Sequence, residues 1–336
     1  MRKRMFGVLA GLTLVVVAGA CGDDDDSSAP GDTVAATTAA PATTATPATT
    51  SAPVTTAPTT MAAEAPTTEA GKIKVPSKII SLSPTATEML YAVGAGDQVL
   101  AVDDFSNYPE EAAAKMQGLS GFEPNVEAIA GLEPDLVVTD GSNPDLLSQF
   151  DTLGIAHWEG PAAVTFDDIY TQIEQLGAAT GHIAEAADLV SQMQTDITTV
   201  VDDLPDLPAP LTYYHELDPN GFWSVTSDTF IGLVYSEAGL ENIADAVGDG
   251  NPYPQLNAEF IVDADPDLIF LACTKYCGET PETVAARPGW GALQAVENGN
   301  VIPMDDDIAS RWGPRIVDYI EQVGVAIQHA AGVPAG

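Results

Sequence analysis

Positive charge is the scarcest resource in this chain. Among 336 residues there are 11 Lys and Arg against 49 Asp and Glu, a formal net charge of −38. Neutralising a phosphate backbone needs clustered Lys and Arg, so nucleic acid is excluded as a partner. The acidic excess fits solubility at an acidic or salty cell surface better than any one site. Cysteine is nearly absent too, with three in all, and the four histidines, His157, His182, His215 and His329, are scattered. No second cysteine pair and no paired histidine motif completes a metal site, so no metal is expected. The chain also lacks G-x-S-x-G, G-x-G-x-x-G and the phosphate-binding G-x-x-x-x-G-K-[ST], and no spacing suggests a catalytic triad. Nothing argues for an enzyme.

A long apolar run is missing as well. Met5 to Val17 is apolar but too short for a comfortable membrane span; it follows the basic Arg2-Lys3-Arg4 and precedes Ala18-Gly19-Ala20 and Cys21. Residues 1–20 read as a bacterial lipoprotein signal with Cys21 as the lipidated first residue, although Ala18 stands where Leu is usual. A plain secretory signal is the competing reading, and either one exports the chain. Residues 21–71 are Thr, Ala, Pro and Ser with almost no core-forming side chains, a composition that stays disordered. Such a tether would have an r.m.s. reach of roughly 40 Å.

What the rest contains is a repeat. Asn125-Val126-Glu127-Ala128-Ile129 with Pro134-Asp135-Leu136-Val137 matches Asn257-Ala258-Glu259-Phe260-Ile261 with Pro266-Asp267-Leu268-Ile269, at a constant offset of 132. Each copy reads as a short helix capped by Asn, ended at Pro-Asp and followed by an apolar strand. A weaker pair sets Ile79 to Ser83 against Trp223 to Ser227, each a strand running into a helix closed by Gly94 or Gly239. Between the copies, residues 181–204 carry Ile183, Ala187, Val190, Met193, Ile197, Val201 and Leu204 at helical spacing, with Thr180 as N-cap and Pro205 beyond the end. These features predict an α/β fold: two similar mixed α/β lobes, 72–180 and 205–336, joined by one long bridging helix, with a ligand cleft between them.

Clefts between lobes are usual small-molecule sites. Polar and aromatic residues at strand ends are the candidates for its lining: Ser83, Pro84, Thr85, Asp104, Tyr108, Phe122, Gly141 and Ser142 from the first lobe, and Tyr214, Phe222, Trp223, Asp306, Arg311 and Trp312 from the second. Asp103, Phe105, Gly121, His215, Asp305 and Asp307 belong to the same stretches. Aromatic faces there could stack on a large flat ligand. Cys273 and Cys277 are an even pair suited to a loop disulfide.

Four stretches, KIISLSPTATEMLYAVGAGDQVLAVDDFSNYP, NVEAIAGLEPDLVV, NPYPQLNAEFIVDADPDLIF and DDDIASRWGPRIVDYI, resemble in order the solute-binding proteins that serve ABC importers of cobalamin and iron chelates. The resemblance spans 72 to about 332. It implies a single-helix hinge with small lobe motions, and docking of Glu127 and Glu259 into arginine pockets of the ABC importer transmembrane permease. The same glutamates could merely complement helix dipoles. The expected partners are that permease, a small-molecule ligand and, through Cys21, the membrane on its extracytoplasmic face; the chain is expected to be a monomer without a cofactor, since a corrinoid or ferric chelate would be cargo. Ferric catecholates and citrates are strongly anionic, whereas the C-terminal lobe offers only Lys275, Arg287, Arg311 and Arg315. The first stretch and PYPQLNAEF look most like cobalamin binders, while TKYCGETPETVAARPGW departs from them. A corrinoid is therefore favoured over a ferric siderophore or haem, with a non-transport adhesion module and a cell-surface enzyme as readings from other classes.

Overall fold

Two aspartates of the repeat open the two sheets. In the computed structural model, which describes residues 74–333, Asp135 accepts hydrogen bonds from the Ser77 amide and hydroxyl, and Asp267 from the Thr212 amide and hydroxyl. Each carboxylate thereby holds the chain entering a central strand beside the strand that follows its own Pro-Asp. The signal, the tether and Cys21 lie outside the described residues.

Strands β1 (Ile79–Ser81), β2 (Val99–Asp103), β3 (Met116–Leu119), β4 (Leu136–Thr139) and β5 (His157–Glu159) form one sheet in the order β3-β2-β1-β4-β5. A second sheet, from β6 (Thr212–Glu216), β7 (Glu241–Asn242), β8 (Leu268–Leu271) and β9 (Val301–Pro303), runs β7-β6-β8-β9. Every pairing in both is parallel. The central strands are fully buried runs, as parallel sheets covered on both faces require.

Helices α1 (Pro84–Ala92), α2 (Glu110–Ala113), α3 (Val126–Gly131), α4 (Pro144–Leu153) and α5 (Phe166–Thr180) belong to the first half. After α6 (Ile183–Asp202) come α7 (Phe230–Glu237), α8 (Ala258–Ala264), α9 (Pro281–Ala285), α10 (Gln294–Glu297), α11 (Asp306–Ala309) and α12 (Ile316–Ala330). Local chemistry starts many of them. Ser83, Asn125, Asn143, Thr229 and Asn257 each accept an amide two or three residues into the following helix, and Thr165 with Asp168 makes a full capping box.

Two expectations need correction. Trp223 to Ser227 is not a strand; Trp223 makes only isolated bridges to Asp218 and Gln255. The partner of β1 is β6, which begins within one residue of the position that the 132-residue offset assigns. The bridging helix is shorter than predicted, 20 residues or roughly 30 Å, because Thr180 closes α5 and His182 precedes α6. Its buried residues are Ala186, Val190, Met193 and Ile197, whereas Ile183 and Ala187 face solvent. Close packing against α5 sets that face: a Cβ at Gly177 would stand 2.4 Å from the Ala186 methyl.

The bridging helix also packs on α12, so it does not stand free. One continuous core runs from Ile79 and Leu90 through Val190 and Met193 to Tyr213, Phe270 and Tyr319. Phe166 of the first half meets Phe230 of the second edge to face, with ring centres 5.8 Å apart.

Candidate functional site

In parallel sheets the loops leaving the C-terminal strand ends converge, and ligands bind there. On that side the exposed aromatics are gathered. Phe105 and Tyr108 follow β2, and Phe122, 79% exposed, follows β3. Trp223 follows β6, Tyr276, 63% exposed, follows β8, and Tyr253 precedes Pro254, whose carbonyl accepts the Ser224 amide. Phe105 and Phe122 pack edge to face at 5.5 Å. A depression of about 690 Å³ lined by Phe222, Tyr276, Cys277, Arg287 and Trp290 continues the surface in the second half.

The two halves are tied at this surface by Asp307. Its carboxylate accepts the Asn107 amide at 2.9 Å from the first half and, from the second, Lys275, the Tyr276 hydroxyl at 3.0 Å and Arg311 at 3.0 Å. Burial alone would push the Asp307 pKa up; the bonds from Lys275 and Asn107 outweigh it and hold the carboxyl below its usual range. Arg311 crosses back to Glu88 at 2.8 Å, to the Asn107 side-chain oxygen and to the Phe105 carbonyl. Arg315 also binds Glu88, and its guanidinium lies 4.2 Å from the centre of the Tyr108 ring.

Several predicted lining residues are occupied by the fold. Tyr214 is fully buried in mid-strand against Trp290, not at a strand end, and His215 beside it is buried as well. Asp306 is buried and receives the amides of Thr274, Lys275 and Tyr276. Arg311 is buried in the junction just described, Ser83 caps α1, and Thr85 is buried. Gly141 takes a left-handed φ of 72°, where a side chain would crowd Glu159, and the Ser142 hydroxyl bonds Asp140. Phe222, Trp312 and Pro84 are half-buried, and the Trp312 Nε1 has no partner among the described residues. Asp104, Tyr108, Phe122, Ser142 and Trp223 are exposed. The residues that sequence reading passed over are Tyr276, hidden inside the cysteine pair, and Tyr253, in the PYPQ turn; both are aromatics in polar loops, and that was the available signal.

Every cation among the described residues is engaged. Lys275 meets Asp307, Arg287 meets Glu216 and Glu279, Arg311 meets Glu88 and Asp307, and Arg315 meets Glu88. Lys74 pairs with Asp135 and Lys78 with Glu133, while Lys115 donates to the carbonyls of Gly96 and Val99. Cys273 and Cys277 are joined in a disulfide.

Glu127 and Glu259 are the opposite case. Of the six side chains that recur exactly once per copy of the repeat, Asn caps, Ile is fully buried, Asp ties the strand entry, and Leu starts the strand. Pro stops the helix after a left-handed residue, Glu133 at φ 52° or Asp265 at φ 44°. The glutamates are exposed and make no hydrogen bond or ion pair among the described residues.

A family model described as periplasmic binding protein matches residues 79–308, which takes in both sheets and the bridging helix. The chain belongs to the periplasmic binding protein family. As a periplasmic binding protein it is a solute carrier and not an enzyme. The uncharacterized ABC transporter substrate-binding lipoprotein YvrC of Bacillus subtilis is 28% identical over 261 residues, covering 76% of this chain and 81% of that protein. A cobalamin-binding protein of Halobacterium salinarum is 28% identical over 262 residues, 76% of this chain and 70% of its own. The crystal structure of the periplasmic vitamin B12 binding protein BtuF of Vibrio cholerae superposes with a TM-score of 0.64 at 28% identity, covering 76% of this chain and 98% of that one. No helix among the described residues of this periplasmic binding protein is long and apolar enough to cross a membrane.

Proposed function

We propose that this chain captures a corrinoid, cobalamin or a close relative, outside the cytoplasm and delivers it to the permease of an ABC importer. The observation that carries the ligand class is the combination at the strand-end surface: exposed aromatics from both halves, and no cation without a carboxylate or carbonyl partner. A strongly anionic ferric chelate would meet guanidinium groups already neutralised by Glu88, Glu216, Glu279 and Asp307. A corrinoid carries little net charge and a rim of amides, which aromatic faces and neutral hydrogen-bonding groups suit. The relatives named for cobalamin and vitamin B12 support the same choice.

In this reading Glu127 and Glu259 meet basic pockets on the permease, Cys21 carries the lipid that holds the protein at the membrane, and the protein works as a monomer. Calorimetric titration of the protein with cyanocobalamin and, in parallel, a ferric hydroxamate tests the ligand class. Association with the corrinoid at micromolar strength or tighter, about −8 kcal/mol or better, is expected. Binding the hydroxamate alone would overturn the charge argument, and binding neither would overturn the corrinoid assignment and raise the non-transport adhesion reading.

A further inference from the structure

The disulfide between Cys273 and Cys277 encloses three residues, Thr274, Lys275 and Tyr276. Their three amides converge on one buried carboxylate, Asp306, at 2.7, 3.0 and 3.0 Å, and the Thr274 hydroxyl bonds both Asp306 and the Met304 carbonyl. The backbone of this small ring is thus held at two points, by the sulfur bridge and by Asp306. Its side chains go to the next carboxylate in sequence: the Lys275 amine and the Tyr276 hydroxyl both donate to Asp307, which also receives Asn107 and Arg311. Tyr276 and Cys277 line the depression beside Phe222 and Arg287.

We propose that the Cys273–Cys277 disulfide, together with Asp306, is a positioning element for ligand capture, and that opening it with a dithiol weakens ligand binding without unfolding the protein. The proposal rests on the corrinoid reading of the site. Cys277 is exposed, so a thiolate can reach the bridge from solvent. In the balanced step the thiolate of the dithiol attacks one sulfur, the S–S bond breaks, and the departing cysteine sulfur leaves as a thiolate that takes up a proton. The second thiol of the dithiol then displaces the other cysteine. Two electrons and two protons pass to Cys273 and Cys277, and the dithiol becomes a cyclic disulfide. Asp306 and the side-chain bonds to Asp307 are then the restraints left on Lys275 and Tyr276, the backbone there samples further conformations, and binding must re-immobilise both side chains. Immobilising two such side chains corresponds to a loss of about tenfold in affinity.

The full chain is compared in four forms: oxidised, reduced with dithiothreitol, reoxidised after reduction, and as the Cys273→Ser/Cys277→Ser double variant. Cyanocobalamin affinity is read by calorimetry and the amides of residues 274–276 by hydrogen exchange, with far-ultraviolet circular dichroism as the folding control. Expected are about tenfold weaker binding and faster exchange at 274–276 in the reduced and serine forms, unchanged circular dichroism, and recovery on reoxidation. Equal affinity in oxidised and serine forms would overturn the inference and leave the corrinoid reading standing. If no form binds cyanocobalamin, the corrinoid reading fails and the capture role falls with it, while the exchange data separately decide the structural half: equal protection at 274–276 in all forms overturns the ordering of the ring by the disulfide, and faster exchange on reduction upholds that ordering.

Discussion

His215 is a histidine that the fold keeps from ionising. It sits in the middle of β6, wholly buried, with Nδ1 at 2.9 Å from the Tyr235 hydroxyl, which in turn meets the Tyr319 hydroxyl; Nε2 has no partner among the described residues. Burial pushes its pKa down to about 3 from an ordinary 6.5. The unfolded chain therefore takes up a proton near pH 6.5 that the folded protein refuses until about pH 3. Above pH 6.5 the group has no effect on stability, and between those values stability falls as pH falls, by up to about 1.4 kcal/mol per unit. At pH 5 the loss from this one residue is about 2 kcal/mol. Urea titrations of the wild type and of His215→Gln between pH 7.5 and pH 4 check it: the variant, neutral throughout, should show a shallower decline by that amount. Parallel curves would show that the folded protein accepts the proton at this residue as readily as the unfolded chain does.

At the level of the element, the repeat separates residues that build the structure from residues that do not. Asn257→Ala removes the acceptor of the Phe260 amide and is expected to cost about 1 kcal/mol. Glu259→Ala, on the same exposed turn, should change stability by less than about 0.5 kcal/mol and leave ligand affinity alone. Together with Glu127→Ala it should abolish uptake by cells that carry the permease; full uptake by the double variant would return both glutamates to a helix-dipole role. Caps and Pro-Asp stops were legible in the sequence because their chemistry is local, settled within three or four residues. The face of α6 was not, because Ala186 and Ala187 are equivalent in composition, and only the contact with Gly177 of another helix chooses between them. The false strand at Trp223 shares that cause: β propensity was there, but Tyr213 and Tyr214 one segment earlier hold the place beside β8. The predicted lining residues divided the same way. Tyr108, Phe122 and Trp223 are exposed as their loop positions suggested, whereas the side chains of Arg311 and Asp306 are taken up by partners more than 25 residues away.

At the scale of the whole molecule, the two lobes that the repeat implies are not separate folding units. The core passes through α6 without a break, Phe166 touches Phe230, and Arg311 spans the junction to Glu88. In this periplasmic binding protein neither half can unfold without exposing the other's apolar surface. Heat should therefore unfold residues 74–333 in one transition, with calorimetric and van't Hoff enthalpies equal. Arg311→Ala sharpens the test. It leaves Glu88, only 3% exposed, with Arg315 alone and takes one donor from Asp307, and breaking a buried pair in this way costs about 3–5 kcal/mol. If the junction is shared, the variant's single transition moves down as a whole. If differential scanning calorimetry instead resolved two transitions, with only one displaced by Arg311→Ala, the continuous core would not couple the halves, and the small-motion hinge would have to give way to independent lobes.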